Sequence, residues 1–178
     1  MNAVVVYRSK TGFTKRYAEW ISQELGCDIK ENVRLSKADI MPYDTVIYGG
    51  GLYASGINGL GLIKGNFDAI KDKNLIVFAT GLTLPEQGYV SKVWQANFNE
   101  EQRRSIKRFY FRGGLDYSKL GRCGKLVMNI MKFVLKNKKT PMEDEFGALE
   151  AFDKPVDFTY KENIVPLIAY VRGLYGEG

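Results

Sequence analysis

Apolar residues along this chain fall into short blocks separated by longer amphipathic stretches. Ala3-Val4-Val5-Val6-Tyr7 is an unbroken, mostly β-branched run. That is the pattern of a strand covered on both faces rather than one alternating between core and solvent. Asp44-Thr45-Val46-Ile47-Tyr48 repeats the pattern and runs into Gly49-Gly50-Gly51; Asn74 to Ala79 repeats it again. Ile106 to Arg112 predicts a last strand before Gly113-Gly114, and Asp28 to Leu35 offers a short further one. Helical spacing fills the intervals. Lys15 to Leu25 carries Tyr17, Ala18, Ile21 and Leu25 on one face and is stopped by Gly26. Leu60 to Ile70 and Glu86 to Phe98 read as further helices. Thr159-Tyr160-Lys161-Glu162 has capping-box spacing and opens a helix to Tyr175, with Pro166 placed to kink it or delay its start. Strands alternating with helices predict an α/β fold: one parallel, doubly wound sheet with right-handed crossovers and helices on both faces. Neither a repeat nor a linker interrupts the chain, so residues 1–178 are expected to form a single domain.

In open parallel sheets, ligands bind beyond the carboxyl ends of the strands. Three loops leave the predicted strands there. Ser9-Lys10-Thr11-Gly12-Phe13-Thr14 supplies three hydroxyls, a glycine and a run of backbone N–H groups at a helix start. This set suits a terminal phosphate dianion, because the amides and the helix dipole both stabilise anionic oxygens. It differs from G-x-G-x-x-G and from the Walker-type loop, which cradle pyrophosphate or a nucleoside triphosphate. The plain alternative is a polar turn with Thr14 as N-cap. The second loop, Gly49 to Gly56, lets backbone approach a flat ligand at Gly50 and Gly51 and offers Leu52 and the aromatic face of Tyr53. The third, Thr80 to Tyr89, includes Thr80, Gly81, Leu82 and Gly88, whose amides can meet the polar edge of a ring system.

Composition narrows the chemistry. The chain has no histidine, which excludes Ser-His and Cys-His catalysis and His-ligated metals. Demanding chemistry must therefore come from a cofactor. Cys27 and Cys123 are too few for a disulfide framework and read as reduced structural thiols. The longest apolar run is far short of the roughly 18 residues of a membrane span, so a cytoplasmic setting is expected. A net charge of +6 calls for an anionic partner or surface without selecting one.

The loop at Ser9 to Thr14 resembles the Ser/Thr-x-Thr-Gly-x-Thr phosphate loop of flavodoxins, in its usual place after the first strand. Gly49 to Tyr53 is similar to their second, flavin-flanking loop, and Thr80-Gly81 with Gly88-Tyr89 to the third. The resemblance implies a flavodoxin-like fold with a five-stranded parallel sheet of order 2-1-3-4-5. It also implies noncovalent FMN, with the phosphate on the first loop and the isoalloxazine between the other two. Three features depart from it: the chain is basic where many flavodoxins are acidic, the second loop has no tryptophan to stack on the ring, so that Tyr53 must serve or the face is open, and residues 115–155 form an insertion before the last helix. That insertion resembles the one in menaquinone-dependent protoporphyrinogen oxidases, through Gly113-Gly114-Leu115-Asp116-Tyr117 and the basic, Met-containing stretch Lys125 to Lys136. In that stretch polar residues fall at 125, 129, 132 and 136, one stripe of an amphipathic helix.

Three function classes follow. One is an electron carrier between a reductase and a partner enzyme, favoured by the lack of an acid or base near the loops. Another is a flavin-dependent oxidoreductase with its own substrate, such as a quinone-linked protoporphyrinogen oxidase. The third, a flavin-free binding module, is opposed by the intact hydroxyl-and-glycine loop. The partners expected are a redox protein or a quinone, with peripheral contact to an anionic membrane through residues 122–139 and no role for nucleic acid.

Overall fold

Val4, Val5 and Val6 are all fully buried, as a strand covered on both faces requires. The computed structural model describes residues 1–53, 55–116 and 155–176. The expected insertion at 115–155, with its basic stretch, therefore lies almost wholly outside the described residues.

Elements in chain order are β1 (Ala3–Arg8), α1 (Phe13–Leu25), β2 (Asp28–Glu31), β3 (Thr45–Tyr53), β4 (Gly56–Ile57), α2 (Gly61–Lys64) and α3 (Phe67–Ile70). After them come β5 (Asn74–Gly81), α4 (Gln87–Asn97), α5 (Glu100–Ser105), β6 (Ile106–Arg112), β7 (Gly114–Leu115), β8 (Val156–Asp157) and α6 (Val165–Leu174). The main sheet is parallel, in the order β2-β1-β3-β5-β6, which is the expected 2-1-3-4-5 order. The short β4 pairs antiparallel with the end of β3, and β7 pairs with β8 as a separate hairpin.

Alternation along each strand divides the core in two. Val4, Val6, Val46, Tyr48, Leu75 and Val77 face α2, α3 and α4, where Ile63, Phe67, Ile70, Val93 and Trp94 cover them. Val5, Tyr7, Ile47, Ile76, Phe78 and Phe111 face α1 and α6, against Tyr17, Ile21, Leu167 and Val171. The Tyr17 hydroxyl donates to the Arg112 carbonyl at 2.8 Å and accepts from Asn163 Nδ2 at 2.9 Å, tying α1 to β6 and to the turn before α6. Among the described residues no helix is long and apolar enough to cross a membrane.

Several local expectations change. The helix expected over Leu60–Ile70 is two short turns, because Asn66 Nδ2 takes the Leu62 carbonyl at 2.8 Å and ends the first turn. α5 was not expected. Asn99 and Gln102 cap it reciprocally, holding six residues helical before β6. Thr14 is not the N-cap of α1; Gly12 is, at φ 96°. The Thr159–Glu162 capping box does not form, since the Thr159 hydroxyl binds Asp157 instead. Pro166 sits in the first turn of α6, where its missing N–H costs nothing. The strand expected over Asp28–Leu35 stops at Glu31.

The strands also run further than their apolar blocks. β3 continues through Gly49-Gly50-Gly51 to Tyr53, and β5 to Gly81. A Cβ on Gly49 would lie 2.1 Å from Phe78 Cζ, and that ring is held against Phe111 at a centroid distance of 5.5 Å. Gly49→Ala should therefore lower stability by about 1–3 kcal/mol, read as a shifted urea midpoint; an unchanged midpoint would refute this account of the glycine.

Burial pushes the Cys27 thiol up to about 11, with Asp28 adding to the shift. Keeping the neutral thiol favours the folded state below the ordinary thiol range, and that contribution is lost as pH rises toward about 11. Only the thiolate reacts. In a Cys123→Ser background at pH 8, a thiol reagent should modify folded protein roughly a hundredfold more slowly than unfolded protein. Equal rates would contradict the burial argument.

Candidate functional site

Register brings the three loops together. Arg8, Gly50, Ala79 and Tyr110 form one row across the four strands, so β1, β3, β5 and β6 deliver their carboxyl ends to one edge.

The first loop turns back on itself where Ser9 Oγ accepts the Gly12 N–H at 3.1 Å. Gly12 then starts α1 in a left-handed conformation closed to most side chains. The amides of Phe13, Thr14 and Lys15, in the first turn, have no carbonyl within the helix to bond. That turn contains no acidic residue. Thr14 is buried, and its hydroxyl lies 2.7 Å from the buried Thr80 hydroxyl at the end of β5. Gly51 of β3 fits beside this pair: a Cβ there would stand 3.3 Å from Thr14 Oγ1 and 3.7 Å from Thr80 Oγ1. The hydroxyl pair thus joins the first and third loops across the glycine of the second.

Tyr53 reaches over the first loop. The Lys10 ammonium stands 4.3 Å from its ring centroid, and its phenol is hydrogen-bonded to the Thr11 side chain. Burial raises the phenol above its ordinary pKa, opposed in part by that bond. Tyr53, Leu82 and Val156 pack around the buried Leu115 in a small apolar cluster at this edge. Leu52 pairs with Ile57 and packs close to Gly81. Phe13 is buried against Gly114. Of the expected site residues, Ser9 to Thr14, Gly50 to Tyr53 and Thr80 to Leu82 are gathered here. Gly88 is not: it lies exposed in the first turn of α4, with open space where a Cβ would project.

Four further residues border the site. Gly113 donates its N–H to the Gly81 carbonyl at 2.7 Å, and Arg112 Nε donates to the Leu82 carbonyl at 3.1 Å. Leu115 floors the apolar cluster. Asn58, whose N–H bonds the Gly51 carbonyl, has a buried side-chain Nδ2 with no partner among the described residues. The Gly113-Gly114 pair after a strand was a visible signal for the first of these; nothing in the sequence pointed to Asn58.

The flavodoxin-domain family model matches residues 4–142. This chain belongs to the flavodoxin family. Solved flavodoxin-like structures resemble it at low identity. The WrbA-like flavodoxin of Agrobacterium tumefaciens is 15% identical over 85% of this chain and 95% of its own, with a TM-score of 0.42. Flavodoxin 2 of Bacillus cereus is 15% identical over 75% and 99%, with a TM-score of 0.45. A flavoprotein of Lactobacillus acidophilus in complex with FMN is 19% identical over 62% and 91%, with a TM-score of 0.38. Among curated proteins none matches the sequence.

The flavodoxin family supports a flavin as the cofactor, and the residues at this edge fit one. The first-turn amides, the Ser9 and Thr11 hydroxyls and the Lys10 ammonium are donors of the kind that suit an anion, with no carboxylate among residues 9–15. Tyr53, Leu82 and Val156 make an apolar surface of the kind a flat ring lies on.

Because Thr14 and Thr80 are each other's buried partner, removing either hydroxyl leaves the other unsatisfied. Thr14→Val and Thr80→Val should each lower stability by about 1–3 kcal/mol. The double variant should cost less than the sum of the two. Strict additivity in urea unfolding would show that the pair contributes nothing as a pair.

Proposed function

We propose that this flavodoxin domain binds FMN and passes electrons between a reductase and a partner enzyme. The convergence of the Ser9–Thr14 loop with the Thr14–Thr80 hydroxyl pair at the sheet edge carries this reading, because it assembles donors for a phosphate dianion beside an apolar, aromatic surface. In the proposal, Ser9, Lys10, Thr11, Gly12, Phe13 and Thr14 hold the phosphate. Gly50, Gly51, Leu52 and Tyr53 flank one side of the ring, and Thr80, Gly81 and Leu82 the other. The cofactor supplies the electron transfer. The protein's part is to orient it, exclude water from one face, and set local charge with Lys10 and Arg112. No carboxylate stands in residues 9–14 or 49–53; in the third loop Glu86 lies at the start of α4.

A second reading is a flavin-dependent oxidoreductase with its own substrate, such as a quinone-linked protoporphyrinogen oxidase. It is favoured by the position of Gly113 to Leu115, the start of the segment that resembles those enzymes, against Gly81, Tyr53 and Leu82. On either reading the chain is proposed to act as one unit in the cytoplasm, with 115–155 as an insertion. Residues 122–139 are then the part that would meet an anionic membrane, each basic side chain near it adding about 1 kcal/mol. Anaerobic reduction of the purified protein, followed by addition of a quinone or of an oxidised carrier protein, separates the readings. Fast reoxidation by the carrier alone supports electron transfer; rapid turnover with quinone and a porphyrinogen supports the second.

The phosphate assignment has its own test. A hydroxyl bonded to a phosphate dianion contributes about 1.5–3 kcal/mol. Thr11→Ala and Thr14→Ala should therefore weaken FMN binding roughly tenfold or more, while riboflavin, which lacks the phosphate, is much less affected. Titration with both ligands reads this directly, and equal losses for the two would remove the phosphate from this loop.

A further inference from the structure

β6 ends the main sheet, and among the described residues no strand pairs with its outer edge. Such an edge offers alternating N–H and C=O groups to any extended chain laid beside it. Grooves flank this edge on both faces. One of about 650 Å³ runs over Arg108 and Tyr110 and is walled by Trp94 of α4 and Arg103 of α5. The other, about 330 Å³, is lined on the opposite face by Phe109, Phe111, Phe158 and Pro166.

Charge along the first groove is unbalanced. Among the described residues no ion pair reaches Arg103 or Arg108: Glu100 pairs with Arg104, Glu101 lies 4.0 Å from Lys71, and Arg103 Nη1 donates to the Phe98 carbonyl at 2.5 Å, a neutral partner. Burial and the positive charge of Arg103 both push the Arg108 guanidinium below its ordinary pKa. Lys107, on the other face of the strand, stands 4.8 Å above the Tyr170 ring and adds a third cation along the same edge. Partly buried like charges without an acid are costly, and an incoming carboxylate relieves that cost.

We propose that the outer edge of β6 is a docking site for an acidic, extended segment of another protein, which adds as a strand with its carboxylates toward Arg103 and Arg108. The edge selects a peptide, since it presents main-chain donors and acceptors in strand register; the arginine pair selects acidic side chains. This site is separate from the flavin reading and does not rest on it. The two are nonetheless neighbours: Tyr110 in the groove donates its hydroxyl to the Thr83 carbonyl at 2.8 Å, and its ring meets Tyr89 edge-on at 5.9 Å, both on the third loop and the helix start after it. A protein held here would stand beside the candidate redox site.

The test uses the full chain and a fluorescein-labelled octapeptide of alternating Glu and Val, followed by fluorescence anisotropy. The peptide should bind, more weakly as salt rises, and the double variant Arg103→Gln/Arg108→Gln should lose about tenfold or more in affinity. Arg104→Gln, at an exposed residue already paired with Glu100, should leave affinity unchanged. The same octapeptide N-methylated at every second residue keeps its charges but cannot form the ladder, and should bind much more weakly. Without any substitution, hydrogen exchange at the β6 amides of the wild-type protein should slow when the peptide is added. Unchanged affinity in the double variant, equal binding of the N-methylated peptide, or a preference for an alternating Lys-Val peptide or an oligothymidylate each overturns the proposal.

Discussion

Parallel register is the constraint from which the rest of this structure follows. Arg8, Gly50, Ala79 and Tyr110 stand side by side, so four strands hand their chains to the next element at one edge. Closeness at that edge then dictates side-chain size. The position of a Cβ on Gly49 is filled by the Phe78 ring, on Gly50 by Ile57 and the Asn58 backbone, and on Gly51 it is crowded by the Thr14 and Thr80 hydroxyls. Three glycines in succession look like a flexible loop. Here they are strand residues whose missing side chains let β4, β5 and α1 close in.

Polar groups follow the same logic. Thr14 and Thr80 are buried at strand and helix ends, where a hydroxyl without a partner is expensive, and each satisfies the other. The Tyr17 hydroxyl serves Arg112 and Asn163 at once, so one phenol holds α1, the edge strand and the chain's return together. Arg16 adds an ion pair to Asp157 and a hydrogen bond to Thr159 on that return segment. The helix that begins at the Ser9–Thr14 loop is therefore fastened by contacts from residues far away in sequence. Such fastening keeps the first-turn amides in place before any ligand arrives, which is the condition for binding an anion without reorganisation.

Charge is distributed unevenly around this frame. The first turn of α1 is free of acid and carries Lys10 beside it, while Arg103 of α5 and Arg108 of β6 line one groove without an ion pair among the described residues. Part of the net charge of +6 thus stands at two separate places, the loop proposed to take a compact dianion and the edge proposed to take an extended chain.

Much of this was legible in the residues because it rests on local rules. Unbroken β-branched runs marked β1, β3 and β5, since a strand buried on both faces has no room for polar side chains. Tyr17, Ala18, Ile21 and Leu25 marked the inner face of α1, and Gly26 its left-handed end, at φ 59°. Hydroxyls and a glycine straight after the first strand marked the loop that opens α1 at the sheet's carboxyl edge. What the chain alone left open depended on neighbours distant in sequence. Thr14 read equally well as an N-cap until Thr80 took its hydroxyl, and the Leu60–Ile70 periodicity gave no sign that Asn66 would cap the first turn. The contacts of Leu115 with Tyr53 and Leu82, the Asn58 amide without a partner among the described residues, and the meeting of Arg103 on α5 with Arg108 on β6 leave no periodic trace, because each is created by bringing separate elements together. Sequence alone determined the α/β class and the buried strands, since those follow from residue type and spacing along the backbone. Only the tertiary structure decided which hydroxyls pair, which glycines are packed and which charges go unanswered, since those depend on distances across the sheet.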